Sequence, residues 1–241
     1  MSASVDIRRA ADRGASTTEW LNSKHSFSFA GYYDPDNTHH GLLLVNNDDW
    51  VAPAAGFDTH PHRDMEIVTW VLQGALEHRD SMGNSGVIYP GLAQRMSAGT
   101  GVLHSENNAS ANEPVHFVQM WVVPDEAGIE PGYQQAEIDD SLLAGGLTTI
   151  ASGRGGDAAT RIHNKNAALH GARMQAGDSV ELPDAPYLHL FVARGAVTLE
   201  DAGALHEGDA ARLISASGRR LTATEPSEIL VWEMHADLAS A

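Results

Sequence analysis

Two short stretches of this chain carry side chains whose types and spacing could hold a metal ion. The first is His60-Pro61-His62, inside Thr59 to Glu66, and the second is His104-Ser105-Glu106, which follows Gly101-Val102-Leu103. Each offers two donor groups at i and i+2, positions that project from the same face of a β-strand. Two such strands closed face to face in a small barrel would aim His60, His62, His104 and Glu106 at one point. Three neutral imidazoles and a carboxylate suit a divalent transition metal such as iron, manganese, nickel, copper or zinc. On a six-coordinate ion, four protein ligands leave two positions for substrate, O2 or water. A lone His-x-His is as often a hydrogen-bonded or surface pair, so the weight falls on the two motifs together. Spacing does not settle the carboxylate, because Glu66 and Asp64 share parity with His60 and His62. If Glu66 binds, Glu106 becomes a base beside the metal, or both bind.

The elements that must position these residues read as strands. Glu66 to Leu72 is β-branched and aromatic and stops at Gln73-Gly74, and Ala75 to Asp80 runs outward to a Gly-containing hairpin turn at Ser81 to Gly86. Val87 to Tyr89 precedes Pro90-Gly91, Gln94 to Met96 and Val102 to Glu106 flank Ala98-Gly99-Thr100-Gly101, and Val115 to Val123 is the longest apolar strand. Earlier in the chain, Ser26 to Ala30 alternates polar with aromatic, the pattern of a half-buried strand. Leu42 to Val45 reads as a short apolar strand, and Asn46-Asn47-Asp48-Asp49 as a turn. No stretch of this half sustains a 3.6-residue period, so the expected fold is all-β, an antiparallel barrel or sandwich.

After Pro124 an acidic, glycine-containing segment reads as a linker, and the second half repeats the grammar of the first. Tyr187 to Ala193 is followed by Arg194-Gly195 as Trp70 to Leu72 is by Gln73-Gly74, and Ile229 to Glu233 closes it as Phe117 to Val123 closes the first. The division expected is a metal-binding domain over 1–124, a linker over 125–138 with one short helix near Asp139 to Ala144, and a second domain over 139–241. The second copy lacks the ligand pairs. Before Gly195 it has only His189, with no His at i+2, and its His163, His170, His206 and His235 have no metal-ligand spacing and read as surface or hydrogen-bonded histidines.

Composition narrows the partners. Cysteine is absent from the 241 residues, which excludes disulfides, thiolate nucleophiles and iron–sulfur ligation and restricts a metal to His, Asp, Glu and backbone oxygen. A formal net charge of −17 argues against nucleic acid, whose phosphates need concentrated Lys and Arg. No apolar run approaches the ~18 residues of a membrane span, and no apolar core follows the charges at the N-terminus. A cytoplasmic monomer is the expectation, the two barrels supplying each other's contact.

The stretches His60 to Glu66, Glu77 to Asn84 and Met96 to Glu106, with the earlier Trp20 and His25 to Pro35, resemble the pirin family of bicupins. The likeness is dense from about Trp20 to Val123 and rests mainly on turn placement beyond. It implies two tandem cupin barrels facing each other with the metal in the N-terminal one. The family's ligand set carries over to His60, His62, His104 and Glu106, which favours Glu106 over Glu66. Bacterial members resemble flavonol dioxygenases, usually called quercetin 2,3-dioxygenases. That implies Fe(II) first among divalent ions, with Mn, Ni, Cu, Co or Zn as alternatives, a small aromatic substrate and O2, and Glu106 as general base. Eukaryotic relatives are iron-dependent regulators that bind protein partners, the second reading. Phe27, Phe29, Tyr33, Met65, Met96 and Trp121 are the candidate apolar walls of the pocket.

Overall fold

The computed structural model describes residues 3–216 and 218–240. Its strands build two barrels, each from a seven-stranded and a four-stranded sheet, antiparallel throughout except for one short parallel edge pair, Thr148–Ser152 with Thr160–Arg161, in the second barrel. In chain order the first twelve are β1 (Ser4–Arg8), β2 (Gly14–Thr17), β3 (Leu21–His25), β4 (Leu43–Val51), β5 (Gly56–His62), β6 (Glu66–Gln73), β7 (Leu76–Asp80), β8 (Ser85–Ile88), β9 (Leu92–Ser97), β10 (Val102–Asn108), β11 (Val115–Val122) and β12 (Gly132–Glu137). The large sheet of the first barrel runs β12-β9-β6-β11-β4-β3-β2 and the small one β5-β10-β7-β8. The family-level expectation of a two-cupin, all-β fold holds.

The duplication is visible in one backbone detail. Gly74, after β6, has φ 76°, and a Cβ there would meet the Pro114 carbonyl at 2.7 Å; Gly195, after Tyr187–Arg194, has φ 77° and would meet the Pro226 carbonyl at 2.3 Å. Both turns need a left-handed residue with nothing beyond Cα, which only glycine supplies without strain. The barrels also exchange their edges. β1 pairs along its whole length with Ala210–Ile214 of the second barrel. The segment expected as a linker contains β12, all six residues of which pair with β9 of the first. Each large sheet is therefore completed by chain lying on the far side of a sequence-based boundary.

The two large sheets pack back to back. On β6, Val68, Trp70 and Leu72 join Val118, Met120 and Val122 of β11 in one buried cluster with Tyr187, Phe191, Leu230 and Trp232 of the second barrel. The alternate residues Ile67, Val71 and Phe117 fill the first barrel itself. Both faces are covered, which is why β6 and β11 read as almost continuous apolar runs. Trp70 is 1% exposed and donates its indole N–H to Glu228 Oε1 at 2.7 Å. Trp70→Ala is expected to cost about 3–5 kcal/mol, a fall in Tm of roughly 10 °C for a chain of this size, measurable by calorimetry.

Two sequence-based expectations are corrected here. Ser26 to Ala30 is not a strand. Its neighbour β3 ends at His25, and the stretch turns away, with Ser28 Oγ hydrogen-bonded to both the carbonyl and the amide of Asp34, so that Phe27 enters the inter-barrel core while Phe29 turns toward Trp121. Asn46 to Asp49 is not a turn but the middle of β4. Each polar side chain there is claimed by tertiary structure: Asn46 donates to Ser26 Oγ, Asn47 bonds His25, Asp48 pairs with Arg13 and His116, and Asp49 faces inward. Turn propensity loses to these partners. The expected short helix is present as Asp140–Ala144.

Two buried histidines at the contact between the barrels set a pH dependence. His189 is fully buried and, among the described residues, neither ring nitrogen has a hydrogen-bond partner. Burial, then the nearby Arg212, holds it well below the usual histidine range and holds His40 at about 4. Above the unfolded value near 6.5 both states are neutral. As pH falls from 6.5 toward 4 the unfolded chain takes up protons that the folded one refuses, so stability is lost by about 1.4 kcal/mol per pH unit for each such group. Denaturant melts of metal-free protein at pH 7 and pH 5 should show that loss, and His189→Phe should reduce it.

Candidate metal centre

β5 and β10 pair antiparallel with His60 opposite His104 and His62 opposite Val102. The register slips between His104 and Glu106, so that Phe57 faces Glu106. The extra residue of this bulge leaves Asp58 and Thr59 exposed side by side. It also turns the Asp58 carbonyl so that it accepts a hydrogen bond from His60 Nδ1 at 2.7 Å. With its proton on Nδ1, His60 presents the Nε2 lone pair.

The three imidazoles converge. Ring centroids are 4.9 Å apart for His60 and His62, 4.4 Å for His60 and His104, and 4.8 Å for His62 and His104, and one ring nitrogen of each lies within 4.8 Å of the others. Nε2 of His62 and Nε2 of His104 are buried without a hydrogen-bond partner among the described residues. Lone pairs desolvated and left open in this way fit a transition metal, which would satisfy them. Burial, then neighbouring His60, lowers His62 to about 4; burial, then His60, His62 and His78, lowers His104 to about 2. Burial thus favours the neutral form of His62 and His104, the form that metal binding requires.

Glu106, two residues beyond His104 on the same face, joins a second cluster with His104 and His78, whose donor atoms also lie within 4.8 Å of one another. Gln119 Nε2 donates to both of its oxygens, at 3.0 and 2.8 Å, while the Trp121 indole N–H donates to Gln119 Oε1 at 3.1 Å and so orients the amide. Burial, opposed by the Gln119 hydrogen bond, pushes the Glu106 carboxyl up to about 7. His60, His62 and Glu106 open on one cavity of about 250 Å³. Phe29, Phe57 and Trp121 supply its aromatic walls, and Ser16, Ser23, His25, Asn47 and Asp49 a polar side. Asp49 is buried, its Oδ1 has no partner among the described residues, and burial raises its carboxyl to about 7.

Other candidates fall elsewhere. Glu66 lies on the face of β6 that carries Trp70, away from the first barrel's interior. It accepts hydrogen bonds from Ser97 Oγ at 2.8 Å and the His163 amide at 3.0 Å, tying the barrels together. Strand parity did not carry from β5 to β6 because Asp64, with φ 48°, reverses the chain between the two sheets and accepts from the Gly128 amide. Of the expected walls only Phe29 and Trp121 line the cavity. Phe27 lies in the inter-barrel core, Met65 and Met96 pack with Ile67, and Tyr33 is 75% exposed. His170 and His235 hydrogen-bond Glu233, and His163 lies against Glu66.

The residues that sequence reasoning missed share one signature. His78 and Asp80 on β7, Asn47 and Asp49 on β4, and Ser23 and His25 on β3 are each i, i+2 pairs facing the same interior as the two motifs. His78 is fully buried, its ring stacked on Tyr133 at 4.6 Å and hydrogen-bonded to Asp80. Partial burial pushes Asp80 up, but Asn84, His78 and the Met82 amide hold it below the usual carboxylate range.

Comparison with known proteins agrees with this geometry. Residues 6–122 match the family model described as Pirin, and 149–234 the one described as quercetinase C-terminal cupin domain. The Mycobacterium tuberculosis (strain H37Rv) protein Rv0181c is 69% identical over 242 residues, spanning 100% of this chain and 99% of its own. An Escherichia coli K12 protein named quercetin 2,3-dioxygenase is 37% identical over 231 residues, 95% of this chain and 98% of its own. The crystal structure of the bacterial pirin YhhW from E. coli in complex with nickel(II) superposes with a TM-score of 0.89 at 33% identity, covering 97% of this chain and 100% of that one. With such relatives along its whole length and a triad of open imidazoles at the expected place, the chain belongs to the pirin family, as a two-cupin oxidoreductase of the dioxygenase type.

Proposed function

We propose that this protein opens the central ring of a flavonol such as quercetin with O2, releasing carbon monoxide and a depside. The observation that supports it is the common wall: two of the three converging imidazoles and a carboxyl raised to about 7 open on the same aromatic-sided cavity. The donor set His60, His62 and His104, with Glu106 beside it, would hold one divalent ion, Fe(II) first and Mn, Co, Ni, Cu or Zn by the same chemistry. Such an ion supplies Lewis acidity toward a 3-hydroxyl next to a 4-carbonyl and vacant positions for small ligands.

The chain's own groups do the rest. Phe29 and Trp121, edge to face at 5.5 Å, form the walls against which a flat ring lies. At about 250 Å³ the cavity is below the ~300–1,000 Å³ usual for ligand clefts, so it seats the enol-carbonyl ring system and leaves the remaining ring toward the opening. Ser23, His25, Asn47 and Asp49 offer partners to phenolic hydroxyls. Glu106, held through both oxygens by Gln119, takes the 3-hydroxyl proton and later returns it to the product carboxyl. The balance closes without an external reductant. The ring carbon bearing the hydroxyl leaves with its oxygen as carbon monoxide, and both atoms of O2 end in the depside.

The test is anaerobic loading with each metal in turn, then flavonol and O2, following flavonol absorbance, O2 uptake and carbon monoxide. Loss of all signals across the metal series would overturn the reading and favour an iron-binding regulator acting through protein partners.

A further inference from the structure

Metal-binding imidazoles present one nitrogen to the ion and need the other to carry a proton held by an acceptor. His60 has its acceptor in the Asp58 carbonyl. For His104 no carbonyl or carboxylate among the described residues plays that part. Its Nδ1 faces Nδ1 of His78 at 3.4 Å, and two facing imidazole nitrogens make a hydrogen bond only if one bears a proton and the other a lone pair.

The far end of the chain decides which. Nε2 of His78 lies 3.3 Å from Asp80 Oδ2. Asp80 is already an acceptor elsewhere: Oδ1 takes hydrogen bonds from the Met82 amide at 2.9 Å, the Asn84 amide at 2.9 Å and Asn84 Nδ2 at 3.2 Å, and Oδ2 takes Asn84 Nδ2 at 2.9 Å. A carboxylate wholly occupied in accepting requires Nε2–H on His78. His78 Nδ1 is then a lone pair, His104 must place its proton on Nδ1, and His104 Nε2 is left as the open lone pair that has no partner among the described residues.

We propose that His78, oriented by Asp80, is the positioning residue that fixes the tautomer of His104 and thereby completes the metal triad. Cross-strand register makes the relay possible, with Asp80 opposite His104 and His78 opposite Glu106 between β7 and β10. The Asn84 turn that clamps Asp80 is therefore part of the centre, though it lies on a hairpin outside the cavity. The inference rests on the metal centre and not on flavonol chemistry, so its readouts are metal affinity and tautomer.

In metal-free wild type, nitrogen-15 NMR of histidine side chains should show His104 with Nδ1–H and His78 with Nε2–H. The opposite tautomer of His104 would overturn the proposal without any variant. His78→Leu removes the acceptor while filling the space, and should weaken Co(II) binding by roughly 10- to 100-fold in chelator competition, with circular dichroism unchanged. His78→Gln keeps a carbonyl acceptor and should restore affinity to within about threefold. Equal affinity of the Leu variant and wild type would overturn it. So would a stoichiometry of two Co(II) per chain falling to one in the Leu variant, which would make His78, His104 and Glu106 a second metal site instead.

Discussion

Glu106→Gln should leave a protein that still takes up its metal but turns over flavonol at least a hundredfold more slowly, within the ~10²–10⁴ range expected of a lost general base. The side chain keeps its length and can still accept from Gln119, so the local packing is preserved. The His60, His62 and His104 nitrogens remain within reach of one another without it, so the metal stays. What disappears is the basic oxygen. In the metal-free protein that carboxyl sits at about 7, and a neighbouring cation pulls it lower. The acid limb of kcat/KM in the loaded enzyme should therefore fall with a midpoint below 7, and the variant should lack that limb. Metal content, turnover and pH profile measured on the same samples check the three parts. A variant as fast as wild type would move the base elsewhere, with buried Asp49 the first alternative.

The second large effect is on the metal itself. His62→Ala should abolish stoichiometric metal uptake in the presence of chelator, and with it turnover, because the two imidazoles left, even with Glu106 beside them, compete poorly with a chelator for the ion. Metal bound only to the folded state stabilises it by about 2.7 kcal/mol at a free concentration of one hundred times Kd. At roughly 2–4 °C per kcal/mol for a chain of this length, wild type should gain about 5–10 °C in Tm on loading. The variant should gain nothing, and chelator treatment should return wild type to the variant's behaviour. With His62 held at about 4 and His104 at about 2 by burial, these rings stay neutral as pH falls from 8 to 5. In the metal-free protein, proton uptake by the His62 ring should have its midpoint near pH 4, well below the usual histidine range, which an NMR titration of that ring checks. Uptake already complete at pH 6 would contradict the burial argument.

How much of the site was legible depends on whether a residue's direction follows from its own strand. His60 and His62, and likewise His104 and Glu106, sit two apart on one strand, and the two strands pair directly. Local periodicity was therefore enough to put each pair on one face, while the choice of Glu106 over Glu66 came from the family resemblance. Glu66 failed the same reasoning because a left-handed Asp64 separates it from β5 and sends it into a different sheet. Asn46 to Asp49 failed because turn composition was weighed without the Ser26, His25, Arg13 and His116 partners that hold Asn46, Asn47 and Asp48 within a strand, or the cavity that Asp49 faces.

By itself the amino-acid sequence determined the chemistry available: a cysteine-free acidic chain, all-β by its periodicity, with two donor pairs and an internal repeat whose second copy lacks them. It could do so because ligand type and i, i+2 spacing are local properties. Tertiary structure alone decided that Glu106 shares the cavity of His60 and His62 while Glu66 bridges the barrels, and that β1 and β12 trade places across the domain boundary. It also decided that a third pair, His78 and Asp80, lies behind His104. Those outcomes follow from cross-strand register and from which face of a sheet is buried against what, and both are settled by residues distant in the chain.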